Sequence, residues 1–404
     1  MSQTTLPPKF DALDPAVLED PYPRYAQLRA AGPLCRSGPG TWMVTRYAEL
    51  AALLSHSGLS NRLPPEQSGG LSIFGTGPAG VLTGRMLSGL EPPEHTVVRQ
   101  LLHAALGPKL IRDLRRHIAG LVDELLEPVC DRGGFDAVSE LAFPLQALVV
   151  CELLGIPRAD RELIWPDAVR LGRTFIPYRI PTSQQTAEAD EIAARLRAYM
   201  QGLLTERRAS MRDDLVTCMQ AAVERGAVAA DLAVDNLVFL CFAGFETTMN
   251  VIGTMCALLP THPDQWARLR ADRSLVPTAV EEFLRYDAPA QYTVRLTRER
   301  LEIGGRTIRP GRMLLLVMGS ANRDERQFNR PDRLDVTRHP NPHVSFGGGH
   351  HHCVGWAVGK AICEVALAGL LRRFVALEAA APPVRLHHPN FRAHQRVPVV
   401  VTPA

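Results

Sequence analysis

The residues best suited to chemistry lie in one short run near the carboxyl end of the chain. Cys353 follows the segment Phe346-Gly347-Gly348-Gly349 and three histidines, and an apolar stretch from Trp356 to Phe374 comes directly after it. The glycines allow positive φ angles and a close approach of the backbone to a flat ligand. The start of a helix presents unpaired N–H groups and a positive dipole end, which favour a thiolate over a thiol. The run therefore predicts a thiolate held at the N-terminus of a helix.

A thiolate in this setting suits axial ligation of haem iron. Gly355 beside it leaves room for the ligand, and a thiolate donates electron density that favours O–O cleavage. The spacing F-x-x-G-x-x-x-C-x-G, from Phe346 through Gly349 to Gly355, is long and therefore specific. A zinc site formed by residues 350–353 is the rival interpretation. We discard it because consecutive residues point in different directions and cannot close a tetrahedron around one ion.

These motifs resemble those of the cytochrome P450 haem-thiolate monooxygenases in their soluble bacterial form. The resemblance runs from Asp20-Pro21-Tyr22-Pro23 to the C-terminus, with further motifs in order at residues 91–99, 243–248, 282–285, 322–335 and 346–355. It implies one mainly α domain with small β-sheets (α+β) over residues 1–404. It also implies haem b between a long central helix and the helix that follows the cysteine loop.

The predicted central helix, Asp235–Leu258, is apolar nearly all round and should be buried. Glu246 and Thr247 are costly inside such a helix unless they are hydrogen-bonded or hydrated. The resemblance implies that these two residues hold water and relay protons to dioxygen. Taken alone, the segment is equally compatible with core threonines and a surface-facing glutamate.

The same helix should line the substrate pocket. The resemblance implies that Ala243 and Gly244 contact substrate and that Gly244 leaves space beside the haem. Many relatives have histidine where this chain has Phe245. We expect this difference to alter the shape of the pocket more than the proton relay.

Four basic residues are candidates for binding the two haem propionates, which need cations or donors where they are partly buried. His95 and Arg99 are four residues apart and share one face of a helix. The resemblance matches both to haem-carboxylate contacts, together with Arg295 from an extended segment and His351 from the cysteine loop. The alternative for each is a solvated surface residue.

Glu282 and Arg285 are three residues apart on a predicted helix and can pair. Such a pair alone would be an ordinary surface ion pair. The resemblance implies a buried structural lock in which Arg333 joins the pair and fixes the loop that carries Cys353. A buried ion pair is strongly destabilised when one partner is removed, so alanine at either residue should cause loss of haem.

Composition limits the classes of protein to which the chain can belong. The 404 residues carry a formal net charge of +3, with 46% hydrophobic and 22% charged residues, which is typical of a soluble globular protein. Nothing in this balance argues for nucleic acid. The eight cysteines are too sparse for a disulfide scaffold. The first 20 residues lack a signal pattern, and we read no run of transmembrane length, so we expect a cytoplasmic protein with no membrane anchor. We also expect a monomer.

Residues 60–91 carry two prolines in succession and many glycines, so we predict no regular structure there and, from the resemblance, a loop over the haem. Substrate choice should depend on mobile segments that include Gln291 and Tyr292, and on Thr174–Gln185, a predicted lid connection containing Tyr178. The full set of segments is Asn61–Gly89, Leu171–Gln185, Leu237–Gly244, Ala288–Thr293 and Ala393–Gln395. Their composition suits a medium-sized, largely apolar molecule, such as a bacterial polyketide or macrolide.

The chain contains no flavin or iron–sulfur motif, so the resemblance implies a separate ferredoxin and an NAD(P)H-dependent ferredoxin reductase. Ferredoxins are generally acidic, so a basic surface should steer docking. Solvated helix faces are an equal alternative for each of our candidates, which are Lys109, Arg112, Arg115, Arg116 and Lys360. Two other functions stay open at this point: a peroxide-driven haem-thiolate peroxygenase and a non-catalytic haem protein.

Overall fold

The computed structural model describes residues 10–38, 40–62, 75–174 and 181–404. The first helices are Pro15–Glu19 (α1), Tyr22–Ala31 (α2), Tyr47–Leu54 (α3), Pro78–Arg85 (α4), Glu94–Ala105 (α5), Pro108–Arg132 (α6), Phe143–Leu154 (α7) and Arg161–Thr174 (α8). They are followed by Ser183–Glu206 (α9), Leu215–Glu224 (α10), Ala230–Leu258 (α11), Pro263–Ala271 (α12), Val276–Tyr286 (α13), Met318–Ala321 (α14) and Trp356–Arg373 (α15).

The strands are short. They are Leu34–Gly38 (β1), Thr41–Val44 (β2), Leu59–Ser60 (β3), Gly134–Asp136 (β4), Thr293–Thr297 (β5), Leu301–Ile303 (β6), Arg306–Ile308 (β7), Met313–Leu316 (β8), Phe374–Ala379 (β9), Val384–His387 (β10), Arg392–Arg396 (β11) and Pro398–Pro403 (β12). The predicted mainly helical architecture with small sheets is confirmed.

The helices pack around α11, which runs through the core and contacts α7, α8, α9 and α15. This helix is buried on most of its surface because its sequence is apolar nearly all round. The partly exposed positions in its middle, 239, 240, 243, 244 and 247, recur at helical spacing and so form one stripe. That stripe faces the cavities described below.

Helix α15 is held against α6 by close packing. The buried positions of α6 from Leu114 to Val129 recur every three or four residues and form a single apolar stripe. A Cβ atom at Gly369 of α15 would lie only 2.4 Å from Cγ1 of Val122, so the glycine lets the two helices approach closely. Helix α15 begins three residues after Cys353, and this packing therefore fixes the position of the cysteine loop.

A five-stranded sheet lies beside the helices in the order β1-β2-β8-β5-β3. Strands β2 and β8 are parallel, and the other pairs in this sheet are antiparallel. Residues on β5 alternate between the two faces of the sheet, so Thr293 and Arg295 project to one side. Both of these residues line the cavities next to α11.

Two expectations about local structure need correction. Residues 60–91 are not uniformly irregular, because α4 forms within them at Pro78–Arg85, and α11 begins at Ala230, five residues before the predicted start. Residues 63–74 and 175–180, including Tyr178 of the predicted lid connection, lie outside the described residues.

Among the described residues, two helical stretches are long and apolar enough to cross a membrane, contrary to the expectation that no run reaches that length. They are Ala137–Leu154 and Ala230–Thr261. In the most apolar window of each, 56% and 72% of the residues are buried inside the protein. This burial is what core helices show, and both stretches pack against other helices here.

Candidate active site: a cysteine thiol facing a buried cavity

Two adjoining cavities, of about 280 and 260 Å³, separate α11 from the cysteine loop. The first extends toward α4 and α7, and the second toward the segment before β5. The residues common to both linings are Thr247, Thr248, Thr293, Arg295, Phe346, His351, Cys353 and Gly359. The cavities are therefore two parts of one space, with the central helix on one side and the cysteine on the other.

Two backbone hydrogen bonds close the cysteine loop: Cys353 N donates to the carbonyl oxygen of Phe346 at 2.8 Å, and His352 N donates to that of Gly349 at 3.1 Å. Gly347 and Gly349 adopt positive φ angles of 69° and 64° in this turn. A Cβ atom at Gly349 would also lie 2.5 Å from the carbonyl oxygen of Leu54, so no other residue fits there. The glycine-rich run thus turns the chain tightly against α3.

The thiol of Cys353 is solvent-accessible because it faces the cavity, while protein surrounds it elsewhere. Burial raises the pKa of this thiol, and the N–H of Gly355 and the charge of Arg99 act in the opposite direction without reversing the shift. The expectation that the helix start favours the thiolate does not hold for the polypeptide by itself. Coordination to a metal ion deprotonates a thiol outright, so ionisation depends on the ligand that the cysteine holds.

Three of the four predicted propionate-binding residues line the space. Arg295 and His351 line both cavities, and Arg99 lines the first. His95 lies behind them, with its ring centroid 4.4 Å from that of His351. Its Nε2 atom is buried and has no hydrogen-bond partner within the described ranges.

Without a bound anion, positive charge on these four basic residues is poorly compensated. Burial lowers the pKa of Arg295 to about 10 and that of His351 to about 3, since each is desolvated. No ion pair to Arg295 or Arg99 is found among the residues that the structure describes. Buried cations are retained when an anion pairs with them, so this edge of the cavity is built for negative groups.

Thr247 faces both cavities, and Ala243 and Gly244 line the first. The hydroxyl of Thr247 donates to the carbonyl oxygen of Ala243 at 3.5 Å, the back-bonding expected of threonine in a helix. Glu246 is buried but lies outside both cavity linings. Its Oε1 atom accepts a hydrogen bond from Nε of Arg173 in α8 at 3.3 Å.

Burial raises the pKa of Glu246, and the charge and hydrogen bond of Arg173 lower it by a smaller amount. The structure therefore brings the predicted threonine to the cavity and places the predicted acid one residue away, facing α8. The arginine was not predicted, because nothing in the sequence of α8 distinguishes it from its neighbours.

Phe245 does not shape the described cavities, contrary to expectation. Its ring stacks on Trp165 at a centroid distance of 4.7 Å and meets Phe143 edge-on at 5.2 Å. Gln146 of α7, in contrast, lines the first cavity and donates from Nε2 to the carbonyl oxygen of Gly244 at 2.6 Å. A buried glutamine in an apolar helix was the available sequence signal for this residue.

Glu282 and Arg285 form the predicted buried pair, with two hydrogen bonds of 2.8 and 2.9 Å. The third arginine, however, is Arg338 and not Arg333. Arg338 Nε lies 3.0 and 3.2 Å from the two carboxylate oxygens of Glu282. The side chain of Arg333 is exposed, and only its carbonyl oxygen takes part, as an acceptor for Arg285 and Arg338.

The lock reaches the cysteine loop through α13 and the segment after α14. Ser345 donates to the carbonyl oxygen of Leu284 at 2.6 Å and accepts a hydrogen bond from Asn322 at 2.7 Å. Asn322 also accepts from Val344 N at 2.8 Å. The chain entering the loop is thereby tied to the helix that carries Glu282.

Of the two predicted substrate contacts after α13, only Tyr292 lines a cavity. Gln291 is turned away, because its Nε2 donates to the carbonyl oxygen of Ala288 at 2.7 Å and its amide oxygen packs on Gly319. The prediction of Gln291 as a substrate contact is therefore corrected to a structural role. Ala393–Gln395 and the described residues of Leu171–Gln185 also lie outside the two linings.

The predicted basic surface is largely neutralised. Lys109 and Arg116 both pair with Asp113, at 3.6 and 2.7 Å. Arg115 pairs with Glu364, and Lys360 pairs with Glu281. Within the described part of the chain, Arg112 is the one candidate without an ion pair.

Comparisons with known proteins agree with this geometry. The family model described as Cytochrome P450 matches residues 167–395. The biotin biosynthesis cytochrome P450 of Bacillus subtilis is 33% identical, covering 95% of this chain and 96% of its own. The 6-deoxyerythronolide B hydroxylase of Saccharopolyspora erythraea is 34% identical, covering 89% of each chain.

A solved structure, that of P450BioI in complex with an acyl carrier protein ligated to hexadec-9Z-enoic acid, superimposes with a TM-score of 0.89. It is 31% identical, and the match covers 96% of this chain and 100% of that one. The predicted family and its α+β fold are thus confirmed. The chain belongs to the cytochrome P450 family of bacterial monooxygenases.

Proposed function

We propose that this enzyme is a haem-thiolate monooxygenase that inserts one oxygen atom of O₂ into a medium-sized, largely apolar product of bacterial secondary metabolism. We expect the enzyme to act in the cytoplasm. We expect it to be a monomer in which residues 1–404 form one domain. The observation that carries the proposal is the position of the Cys353 thiol, which faces the Thr247–Thr248 step of the buried central helix across one shared space.

The residues around that space fit haem b. The accessible thiol of Cys353 would hold the iron, and Gly355 leaves open space, because a Cβ atom there would meet nothing within 4 Å. Arg99, Arg295 and His351, with His95 behind them, supply the cations and donors that two propionates require. When bound, the iron supplies activation of dioxygen with a thiolate ligand that favours O–O cleavage.

The remaining steps belong to the chain's own residues. Phe346, Gly347 and Gly349 shape the turn that presents the thiol, and the Glu282–Arg285–Arg338 lock anchors that turn. Because both ends of the turn are fixed, the sulfur is held in place before any ligand binds. Such preorganisation removes the cost of ordering the loop during the reaction.

Thr247 is the group placed to move a proton at the cavity. Its hydroxyl bonds to the carbonyl oxygen of Ala243 at 3.5 Å and can rotate away from it to donate into the cavity, after which its proton is replaced through water. Glu246, one residue away and raised in pKa by burial, is the nearest acid on the helix. We assign Glu246 the role of returning a proton to the hydroxyl of Thr247 through water. Arg173 holds the Glu246 carboxylate on the side toward α8.

The part of the space beyond Thr247 is mostly apolar and suits a largely hydrocarbon substrate. Its described wall includes Leu87, Phe239, Leu240 and Ala243, with the polar residues Ser88, Asn61 and Gln146 among them. Two relatives support the substrate class: one is named for hydroxylating 6-deoxyerythronolide B, and the other was solved with an acyl chain on a carrier protein.

Electrons would come from a ferredoxin and its NAD(P)H-dependent reductase. Our candidates for the surface that receives such a donor are the exposed Arg112 of α6 and the exposed Trp356, three residues after Cys353. Because most of the neighbouring basic groups are paired internally, we expect docking to depend only weakly on salt.

The test begins with the ferric spectrum of the holoprotein, recorded with hexadec-9Z-enoic acid and with 6-deoxyerythronolide B. A compound that shifts the iron toward high spin is then incubated with NADPH, a plant-type ferredoxin, its reductase and oxygen-18-labelled dioxygen. We expect one labelled oxygen atom per product molecule. Unlabelled product would contradict the proposal, and equal turnover with hydrogen peroxide and no carriers would identify a peroxygenase instead.

A further inference from the structure

The amino-terminal half of the central helix carries polar residues that oxygen chemistry does not require. Asp235 and Asn236 are completely buried in an otherwise apolar segment of α11. Buried polar groups are costly unless they are paired, so a buried carboxylate and a buried amide at adjacent positions need a structural explanation. Apart from Leu232 of the same helix, their partners lie far away in sequence, in α4, in the segment after α4 and in α9.

The side chain of Asn236 makes three hydrogen bonds, all of them to backbone atoms. Its Oδ1 atom accepts from Leu87 N at 2.8 Å, and its Nδ2 donates to the carbonyl oxygens of Arg85 at 3.0 Å and Leu232 at 2.9 Å. Two of these three partners, Arg85 and Leu87, lie at the end of α4 and in the segment directly after it. That segment continues into Leu87 and Ser88, which form part of the wall of the first cavity.

Asn236 also lies on the face of α11 that lines the cavity. Counting along the helix, the lining positions 240, 243, 244 and 247 follow it at intervals of four, seven, eight and eleven residues. At 1.5 Å per residue, Asn236 lies about 12 Å along the helix axis from Gly244 and about 16 Å from Thr247. Helix α11 therefore carries both Thr247, which faces the cavity, and Asn236, which holds the part of the cavity wall formed by Leu87 and Ser88.

Charged groups reinforce this attachment. Arg85 pairs with Asp231 and lies 3.7 Å from Asp235, which is also contacted by Arg197 of α9. The other end of α4 is held as well, because Asp190 of α9 accepts a hydrogen bond from Ala79 N at 2.8 Å. Helix α4 is thus fixed at both ends, and Asn236 makes the contact nearest to the cavity.

We propose that Asn236 is a positioning residue that sets the wall formed by Leu87 and Ser88, and thereby the size of substrate that the cavity retains. The proposal rests on the proposed function, since it assumes that substrate occupies the first cavity. It assigns a specificity role to a residue that lies outside the haem site. Bulky ligands that reach Leu87 should depend on Asn236, and small ligands held only near Cys353 should not.

The variant Asn236→Leu removes all three hydrogen bonds while keeping a similar side-chain volume. Asn250→Leu is the matched control, because Asn250 is buried in the same helix and neither of its polar atoms has a hydrogen-bond partner among the described residues. Both variants are prepared as holoproteins. The reduced carbon monoxide spectrum is recorded first, because it tests the haem-thiolate assignment separately from the role of Asn236.

Two measurements then test the wall. In hydrogen exchange, we expect amides in residues 79–90 to exchange about tenfold faster in Asn236→Leu, as a lost hydrogen bond of about 1.4 kcal/mol requires, and to be unchanged in Asn250→Leu. In stopped-flow spectra, we expect the dissociation rate of the bulky azole clotrimazole to rise about tenfold in Asn236→Leu. The affinity for imidazole should stay the same.

The proposal is overturned if residues 79–90 keep their protection in Asn236→Leu, or if Asn250→Leu loosens them equally. Equal changes for clotrimazole and imidazole would overturn it too, since they would indicate general damage to the haem site. If Asn236→Leu does not accumulate as holoprotein, Asn236→Asp replaces it. The aspartate keeps the acceptor for Leu87 N and loses the donor to Arg85, so exchange should be intermediate, and unchanged exchange would refute the role.

Discussion

Alanine variants of Arg338 and Arg333 should show which of the two arginines completes the buried lock with Glu282 and Arg285. The sequence favours Arg333, whereas the structure places Arg338 there. In Arg338→Ala, Glu282 loses one of its two charge partners while remaining fully buried. Breaking a buried ion pair by removing one partner typically destabilises a protein by about 3–5 kcal/mol. Glu282 keeps two hydrogen bonds from Arg285, one from Asp335 N and one from Asn341 Nδ2, so we expect a loss near 3 kcal/mol, at the low end of that range.

Arg333→Ala is the matched control, since it removes the same type of side chain five residues earlier. The Arg333 side chain is exposed, and its backbone carbonyl, which accepts the hydrogen bonds, is kept in the variant. Exposed substitutions of this kind usually change stability by about 0.5 kcal/mol or less. The two alanine variants should therefore differ by roughly 2.5 kcal/mol in the free energy of unfolding.

The assay combines urea unfolding with the haem content that remains after gel filtration. We expect Arg338→Ala to unfold at lower urea and to lose haem, because the lock anchors the chain that enters the cysteine loop. Arg333→Ala should match the wild type in both measurements. Equal effects of the two variants, or a larger effect of Arg333→Ala, would refute this reading of the lock.

Three further perturbations test other parts of the structure. Glu246→Gln keeps the shape of the acid but cannot carry a proton, so product formation should fall about 100-fold with an unchanged reduced carbon monoxide spectrum, and undiminished turnover would exclude the relay role. Gly349→Ala should cost roughly 1–3 kcal/mol and reduce haem content, because the residue has a positive φ and a Cβ would collide with Leu54; normal haem content would show that the loop can relax. Burial alone would raise the pKa of Asp287, but the charges of Arg392 and Arg385 outweigh burial and hold this pKa well below the usual 3.8. The ionised carboxylate therefore stabilises the fold above pH 3.8, and this stabilisation is lost as the pH falls further. Asp287→Asn should therefore flatten the acid side of the stability curve measured by thermal unfolding, and an unchanged acid slope would contradict the contribution.

Much of the fold could be predicted from the chain because local signals were strong. The central helix and α15 are long and apolar, and the strands after α13 are bounded by glycine turns, so periodicity indicated their positions. The turn around Cys353 was equally accessible, since its glycines have positive φ angles that few other residues adopt. Helix α4 was missed because its two glycines and its initial proline hide a short pattern that is stabilised by contacts with α9 and α11.

The side-chain partners in the site were harder to predict, for a common physical reason. Arg333 and Arg338 have the same chemistry and lie five residues apart in one irregular segment, so only the path of the backbone decides which one reaches Glu282. Gln291 and Tyr292 are adjacent, and the turn after α13 sends one to the cavity and the other into the core. Such choices depend on tertiary packing, which spacing along a sequence does not encode.

The bond between Cys353 and haem iron is the central claim, and one measurement addresses it directly. The wild type and Cys353→Ser are reduced under carbon monoxide, and their Soret bands are compared at equal haem content. We expect the strongly red-shifted band of thiolate ligation in the wild type and its complete loss in the serine variant. A red-shifted band that survives in Cys353→Ser, or that is missing from the wild type, would contradict the assignment of this cysteine as the axial ligand.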